Sequence, residues 1–152
     1  MSKIHEEYTK KMFDIALEVP KSTILVIDKY ANSLYDNYLE DKGAITKYLK
    51  DHKYKGLKVN KRQRIVRFKN KSVIYFIPFS TERQKMNIAG MEITAFFMHN
   101  YDDIPERNRL YLRTRLRLGS LVIPEDNKYF GVLPKGFISD RADVRNIWEE
   151  KV

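Results

Sequence analysis

Three groups of side chains in this 152-residue chain are spaced for chemistry. Asp102, Asp103 and Glu106 form its densest acidic group near the end of an apolar run. Carboxylates this close could hold a divalent cation. They could equally cap a helix N-terminus and complement its dipole, at about 0.3–1 kcal/mol per charge. Arg109, Arg113 and Arg117 repeat at every fourth position, with Arg107 and Arg115 beside them. On a helix this spacing draws a single cationic stripe. Such a stripe could follow a phosphate backbone, pair with a partner's acids, or face solvent with local bridges to Glu106 and Glu125. A second basic block contains Lys58, Lys61, Arg62, Arg64, Arg67, Lys69 and Lys71. Alternation puts Arg67, Lys69 and Lys71 on one face if the strand is regular. Tyr54 and Tyr75 lie near enough in sequence to stack on bases, although strand tyrosines are more often packing residues. His5, His52 and His99 form no ligand motif, and His99 has no partner at catalytic spacing.

The elements that must position these groups follow from hydrophobic periodicity. Ile4, Tyr8, Met12, Ile15 and Val19 recur at helical spacing over residues 4–18, and Pro20 stops that helix. Thr23 to Ile27 is a continuous branched run, suited to a strand buried on both faces. Asn32 or Ser33 is expected to cap a second helix carrying Leu34, Tyr35, Tyr38 and Leu39. Gly43 breaks it from a further piece holding Ile45, Tyr48 and Leu49. Ile65–Phe68 and Val73–Ile77 flank Lys69–Ser72 as a hairpin without the usual turn glycine. Ile93 to Met98 is a second buried strand. Asp102 or Asp103 is expected to cap a helix with Pro105 in its first turn, running to Gly119. Leu121–Ile123 and Tyr129–Leu133 read as short strands, and Ser139 as the cap of a last helix with Val144, Ile147 and Trp148 on one side. This order predicts an α/β fold: a three-layer sheet with helices on both faces and a β-hairpin insertion, as one domain over residues 1–152.

Composition narrows the function classes. The formal charge of +9 favours acidic partners, nucleic acid first and an acidic protein surface second, with simple solubility as the plain alternative. The absence of cysteine excludes disulfides, thiolate catalysis and Cys-based zinc sites. There is no apolar signal segment, and no run approaches the roughly 20 apolar residues of a membrane span. The expected place is the cytoplasm, including that of an infected bacterium, with no membrane partner.

Several strings, in order, resemble phage terminase large subunits, the P-loop ATPases that package DNA. Ser22-Thr23-Ile24-Leu25-Val26-Ile27 with Lys29-Tyr30 and Asn32-Ser33-Leu34 resembles the strand and turn after the P-loop helix. Arg64 to Phe76 resembles the family hairpin, with Lys71 where Gly is usual. Lys85 to Gly90 and Met91-Glu92-Ile93-Thr94 resemble the approach to the Walker B strand. Ile104-Pro105-Glu106 and Leu112 to Arg117 resemble the helix after it. Together they cover about two-thirds of the chain. The resemblance implies a truncated P-loop ATPase domain.

The departures set the functional expectation. A P-loop needs glycines, a Lys for the β/γ-phosphates and a Ser/Thr for Mg²⁺, whereas Met1 to Tyr8 contains no Gly. The positions matching the Walker B acids are His99 and Asn100. Neutral imidazole and amide are poor substitutes for hard anionic oxygen around Mg²⁺. Ile123 stands where the family often has a nucleotide-sensing Asn, and no region is long enough for the family's nuclease domain. The reading is a non-enzymatic phage or phage-satellite protein, without cofactor, catalytic or metal site, that binds terminase subunits or another acidic protein. The alternative is a basic DNA- or RNA-binding module using Arg64, Arg67, Lys69, Lys71, Arg109, Arg113 and Arg117. A third class is an enzyme that uses the 102–106 acidic group.

Overall fold

A computed structural model describes residues 2–140 and 149–151. Four α-helices are described: α1 (Lys3–Glu18), α2 (Ala31–Leu34), α3 (Ala44–His52) and α4 (Glu106–Arg115). The strands are β1 (Thr23–Asp28), β2 (Leu57–Asn60), β3 (Ile65–Phe68), β4 (Val73–Pro78), β5 (Ala95–Met98), β6 (Lys135–Ile138) and β7 (Glu149–Lys151). Together they form one seven-stranded sheet ordered β2-β3-β4-β1-β5-β6-β7. From β4 to β7 neighbouring strands are parallel, whereas β2 and β3 continue the sheet antiparallel at one flank.

Side-chain alternation along β1 divides the core. Ile24 and Val26 point into a cluster with Tyr8, Met12 and Phe13 of α1 and with Leu34, Tyr38 and Ile45. Leu25 and Ile27 point the other way, onto Leu112 of α4 and Ile88 of a 3₁₀ helix over Glu82–Ile88. The three-layer α/β expectation therefore holds, with helices on both faces. Full burial of each such aliphatic or aromatic side chain contributes about 1.5–3 kcal/mol. β5 lies between β1 and β6, and Ala95, Phe96, Phe97 and Met98 are all buried. Gly136 of β6 is required by close packing: a Cβ there would sit 2.1 Å from the Phe96 ring.

The hairpin turn takes an unusual residue. Lys71 has φ 72°, the left-handed conformation for which the resembling pattern carries Gly. Its N–H donates to the Phe68 carbonyl (3.1 Å), and Phe68 N–H donates to Ser72 O (2.9 Å). The turn is also tied down from outside. Asn70 Nδ2 donates to Ala16 O (2.7 Å), and the buried Ser72 hydroxyl donates to Ala16 O (2.9 Å) and Val19 O (3.0 Å). These anchors to the end of α1 offset the strain of a side chain at positive φ.

Several sequence expectations are corrected. Asn32 and Ser33 lie inside α2, whose N-cap is Tyr30, and the helix continues as a π turn over Tyr35–Leu39. Asp102 and Asp103 do not cap α4. They sit in a separate 3₁₀ turn (Tyr101–Asp103), and Pro105 is the α4 N-cap. α4 stops at Arg115 rather than Gly119, because the chain there pairs with Ile93. Ile93 N–H donates to Arg115 O (2.7 Å) and Arg117 N–H to Ile93 O (3.0 Å), so Leu116 goes extended and is buried. Residues 121–133 are irregular chain and turns, not strands. Their periodic apolar residues Ile123, Tyr129 and Leu133 are separate anchors on the α1 side of the core. Periodicity does not predict β2 or β6, since both are short and rich in Lys or Gly. The last helix expected after Ser139, with Val144, Ile147 and Trp148, lies outside the described residues.

Candidate functional site

In an open parallel sheet, ligands bind in the crevice outside the carboxyl ends of the strands. Here β1 ends on Asp28, β5 is followed by His99-Asn100, and β6 by Ser139-Asp140. A cavity of about 240 Å³ opens among them, also lined by His5, Ser33 and Asn37. The N-terminus of α1 arrives at the same place. Its Tyr8 hydroxyl donates to the carbonyls of Met98 (2.9 Å) and Phe137 (3.2 Å), fixing the helix to the ends of β5 and β6.

The polar groups at this edge satisfy one another. His99 is 6% exposed and its Nε2 shares a 2.5 Å hydrogen bond with the Tyr38 hydroxyl. The His5 ring stacks on His99 with centroids 4.6 Å apart, and its Nδ1 accepts the Ser2 N–H at 3.1 Å. Asn100 adopts the left-handed conformation (φ 52°), and its Nδ2 donates to Asp28 Oδ1 at 2.8 Å. The same oxygen accepts the Lys29 N–H at 2.6 Å. Asp140 Oδ2 accepts the Tyr101 N–H at 2.9 Å.

Burial favours the uncharged forms of the two imidazoles and two phenols at this edge. It pushes the His99 imidazole down to about 4, helped by neighbouring His5 and opposed by Asp28. His5 is lowered chiefly by burial as well, with Asp28 and its Ser2 hydrogen bond opposing. Burial raises Tyr38 and Tyr8 well above the ordinary phenol range. At neutral pH His99 is thus an uncharged link in a side-chain network.

Directly after β5 the donors suit Mg²⁺ poorly, and the carboxylates at this edge are Asp28 of β1 and Asp140 after β6. His99 and Asn100, directly after β5, offer a neutral imidazole and an amide, and both are already engaged. Among the described residues, no group of three His, Asp or Glu is placed to share a metal ion. Asp102, Asp103 and Glu106 are exposed and do not close on a common point.

The basic residues divide between two places. Arg109 stacks over the Tyr101 ring at 4.2 Å, and Arg113 is half-buried on α4. Arg117 lies beyond the end of that helix, so the expected continuous stripe is broken. On the antiparallel flank, Arg67 is exposed on β3, directly opposite Lys58 of β2. Lys69 and Lys71 belong to the turn rather than the strand, so the expected common face with Arg67 is not formed by alternation. Arg64 has φ 58° in the β2–β3 turn and is half-buried. Tyr75 packs against the α4-side core rather than offering a stacking face. Sequence reasoning missed Asp28, Tyr38 and His5 as partners of His99-Asn100. The one local signal was an acid directly closing the Thr23–Ile27 run.

Comparison with known proteins identifies the fold class and then a particular relative in shape. This mixed α/β sheet matches solved large terminase structures from the thermophilic bacteriophage D6E. One, in complex with ADP, superposes with a TM-score of 0.57 at 15% identity, over 70% of this chain and 26% of that one. A second crystal form gives 0.57 at 16% identity with the same coverage. The chain thus spans about a quarter of the terminase it matches, and at this identity the likeness shows the fold. No protein-family model and no curated protein sequence matches the chain. Among the described residues, no helix is long and apolar enough to cross a membrane.

Proposed function

We propose that the chain is a non-enzymatic, terminase-like domain that binds phage DNA-packaging machinery in the bacterial host cytoplasm and modulates it. The observation that supports this is the end of β5. Where nucleotide chemistry needs carboxylates for Mg²⁺ and water, the chain places His99 and Asn100 and ties both into side-chain hydrogen bonds, to Tyr38 and Asp28. A domain keeping a motor's fold without those acids retains surfaces complementary to motor subunits, and terminase subunits are the partners it fits. Titration with Mg-ATP, joined to a phosphate-release assay, tests the non-enzymatic half. Neither saturable micromolar binding nor turnover is expected, and either would overturn it. Titration of purified large and small terminase subunits tests the partner half, which fails if neither binds.

The second reading, a basic nucleic-acid module, is favoured by the charge of the antiparallel flank.

A further inference from the structure

The chain's net charge is concentrated in one place. Residues 50–71 contain ten Lys or Arg (Lys50, Lys53, Lys55, Lys58, Lys61, Arg62, Arg64, Arg67, Lys69 and Lys71) and one acid, Asp51. That is ten minus one, the whole +9 of the chain. The other 130 residues hold nineteen basic and nineteen acidic side chains and are neutral. The segment runs from the end of α3 through β2 and β3 to the hairpin turn, along the open edge of the sheet. Nine of the ten cations are exposed, Arg64 being the exception. Among the described residues one of them, Lys61, is in an ion pair, with Asp41 at 3.1 Å.

Two features mark this as more than a solvated face. Lys58 and Arg67 occupy directly opposed positions on β2 and β3, where like charges destabilise a strand pair. The turn is also rigid, because Asn70 and Ser72 anchor it to the end of α1. The flank therefore presents mutually repelling cations on a firm support, an arrangement that an external polyanion relieves.

The chemistry of that polyanion follows from what the flank lacks. None of the large exposed hydrophobic residues (Leu17, Tyr30, Tyr35, Met86, Leu110, Val122, Phe130 and Val132) lies within residues 50–71. A protein partner needs an apolar or aromatic anchor at the centre of its interface. A single-stranded nucleic acid needs exposed aromatic platforms. A duplex backbone needs neither, only cations set against a dense row of phosphates.

We infer that the antiparallel flank, residues 50–71, is a binding surface for the phosphate backbone of a nucleic-acid duplex, engaged without reading sequence. This surface is separate from the β5 end, so it stands or falls independently of the proposal that the chain handles no nucleotide.

The experiment uses the full chain and a fluorescent duplex DNA of random sequence, about 20 base pairs long, titrated from about 50 to about 200 mM salt. Binding should weaken steeply and linearly on log axes. Lys58→Gln with Arg67→Gln should lower affinity at least about tenfold at the lower salt and reduce the slope by about 2, at roughly 0.9 for each phosphate no longer neutralised. Lys69→Gln with Lys71→Gln should act similarly. Arg107→Gln on α4, exposed and remote from the flank, should leave affinity within about twofold. Unchanged denaturation midpoints would exclude misfolding. The wild-type salt slope tests the inference even where a variant fails to fold. Duplex RNA of equal length separates sources: equal binding marks backbone charge alone, and preference marks helix geometry. The inference is overturned if the wild-type chain does not bind duplex at low salt. Losses confined to α4 substitutions would do the same, as would polyglutamate of equal charge competing better than duplex, which would point to an acidic protein.

Discussion

At the carboxyl ends of β1, β5 and β6, the buried polar side chains Asp28, Tyr38, His99 and Tyr8 are each answered by a neighbour. His99 bonds Tyr38, Asn100 bonds Asp28, and Tyr8 bonds two strand carbonyls. On the antiparallel flank nine of the ten cations are exposed, one acid (Asp51) stands among them, and among the described residues a single ion pair answers them. The first region lies where an open α/β sheet places a ligand crevice, and its groups are engaged with one another. The second has no resemblance to a pocket, yet its charges are the ones left unsatisfied. A polar group buried at a strand end must be paired to be tolerated, so pairing there reports stability. A surplus of exposed like charge contributes nothing to stability and so points outward to a partner.

If the strand-end region is structural, substitutions beneath and within it should act on stability, and flank substitutions should not. The largest effect should come from Phe97→Ala. Its ring is fully buried, stacked on Phe137 (centroids 4.9 Å apart) and edge-on to Tyr8 (5.1 Å). A loss of about 3–5 kcal/mol is expected in chemical denaturation. A mild Phe97→Ala would mean that β5 is not the core strand.

Within the network, Tyr38→Phe removes the hydroxyl that bonds His99 and leaves a buried nitrogen unpaired. The expected loss is about 1–3 kcal/mol. His99→Ala should fall in the same range and below Phe97→Ala. If both variants match the wild type, the network does not hold the strand end.

Acid should open the same region before the flank. The folded state holds His99 near 4, below its ordinary 6.5, so the unfolded chain binds the extra proton more readily. Stability is then full above about pH 6.5 and is lost progressively as pH falls towards about 4. His5, also lowered, adds to the same trend. Denaturation midpoints followed from neutral pH down to about pH 5 should decline in the wild type and less in His99→Gln. A parallel decline in both would assign the acid sensitivity elsewhere.

The smallest effect sharpens the contrast from the other side. Arg67→Glu places opposite charges across β2 and β3 beside Lys58. Stability should stay within about 0.5 kcal/mol of the parent, on the stabilising side, while duplex binding falls. A marked loss of stability would mean that the flank cations are structural after all.

Much of the frame was legible. The helix over residues 4–18, the buried strands at Thr23 and Ile93, the hairpin around Asn70 and the α/β layering all follow from period and branched-residue runs. The errors fall where local rules compete with distant pairing. Gly119 reads as a helix stop, but the Ile93 backbone captures Arg115 and Arg117 first and ends α4 early. Ile123, Tyr129 and Leu133 have a strand-like rhythm, but each anchors a turn against α1. Lys58 and Gly136 disguise two strands because an edge position tolerates charge and a crowded one demands glycine.

The sequence alone determined the charge: its sign, its excess and its confinement to residues 50–71 are countable without coordinates. It also determined that no carboxylate pair closes the Ile93–Met98 run. Only the tertiary structure decided that Asp28, Tyr38 and His5 meet His99 and Asn100, and that the cations share one open sheet edge. His5 and His99, which stack, stand 94 positions apart in the chain. Local periodicity sets which face a residue takes, but strand order decides which faces meet, and strand order is fixed by packing across the whole sheet.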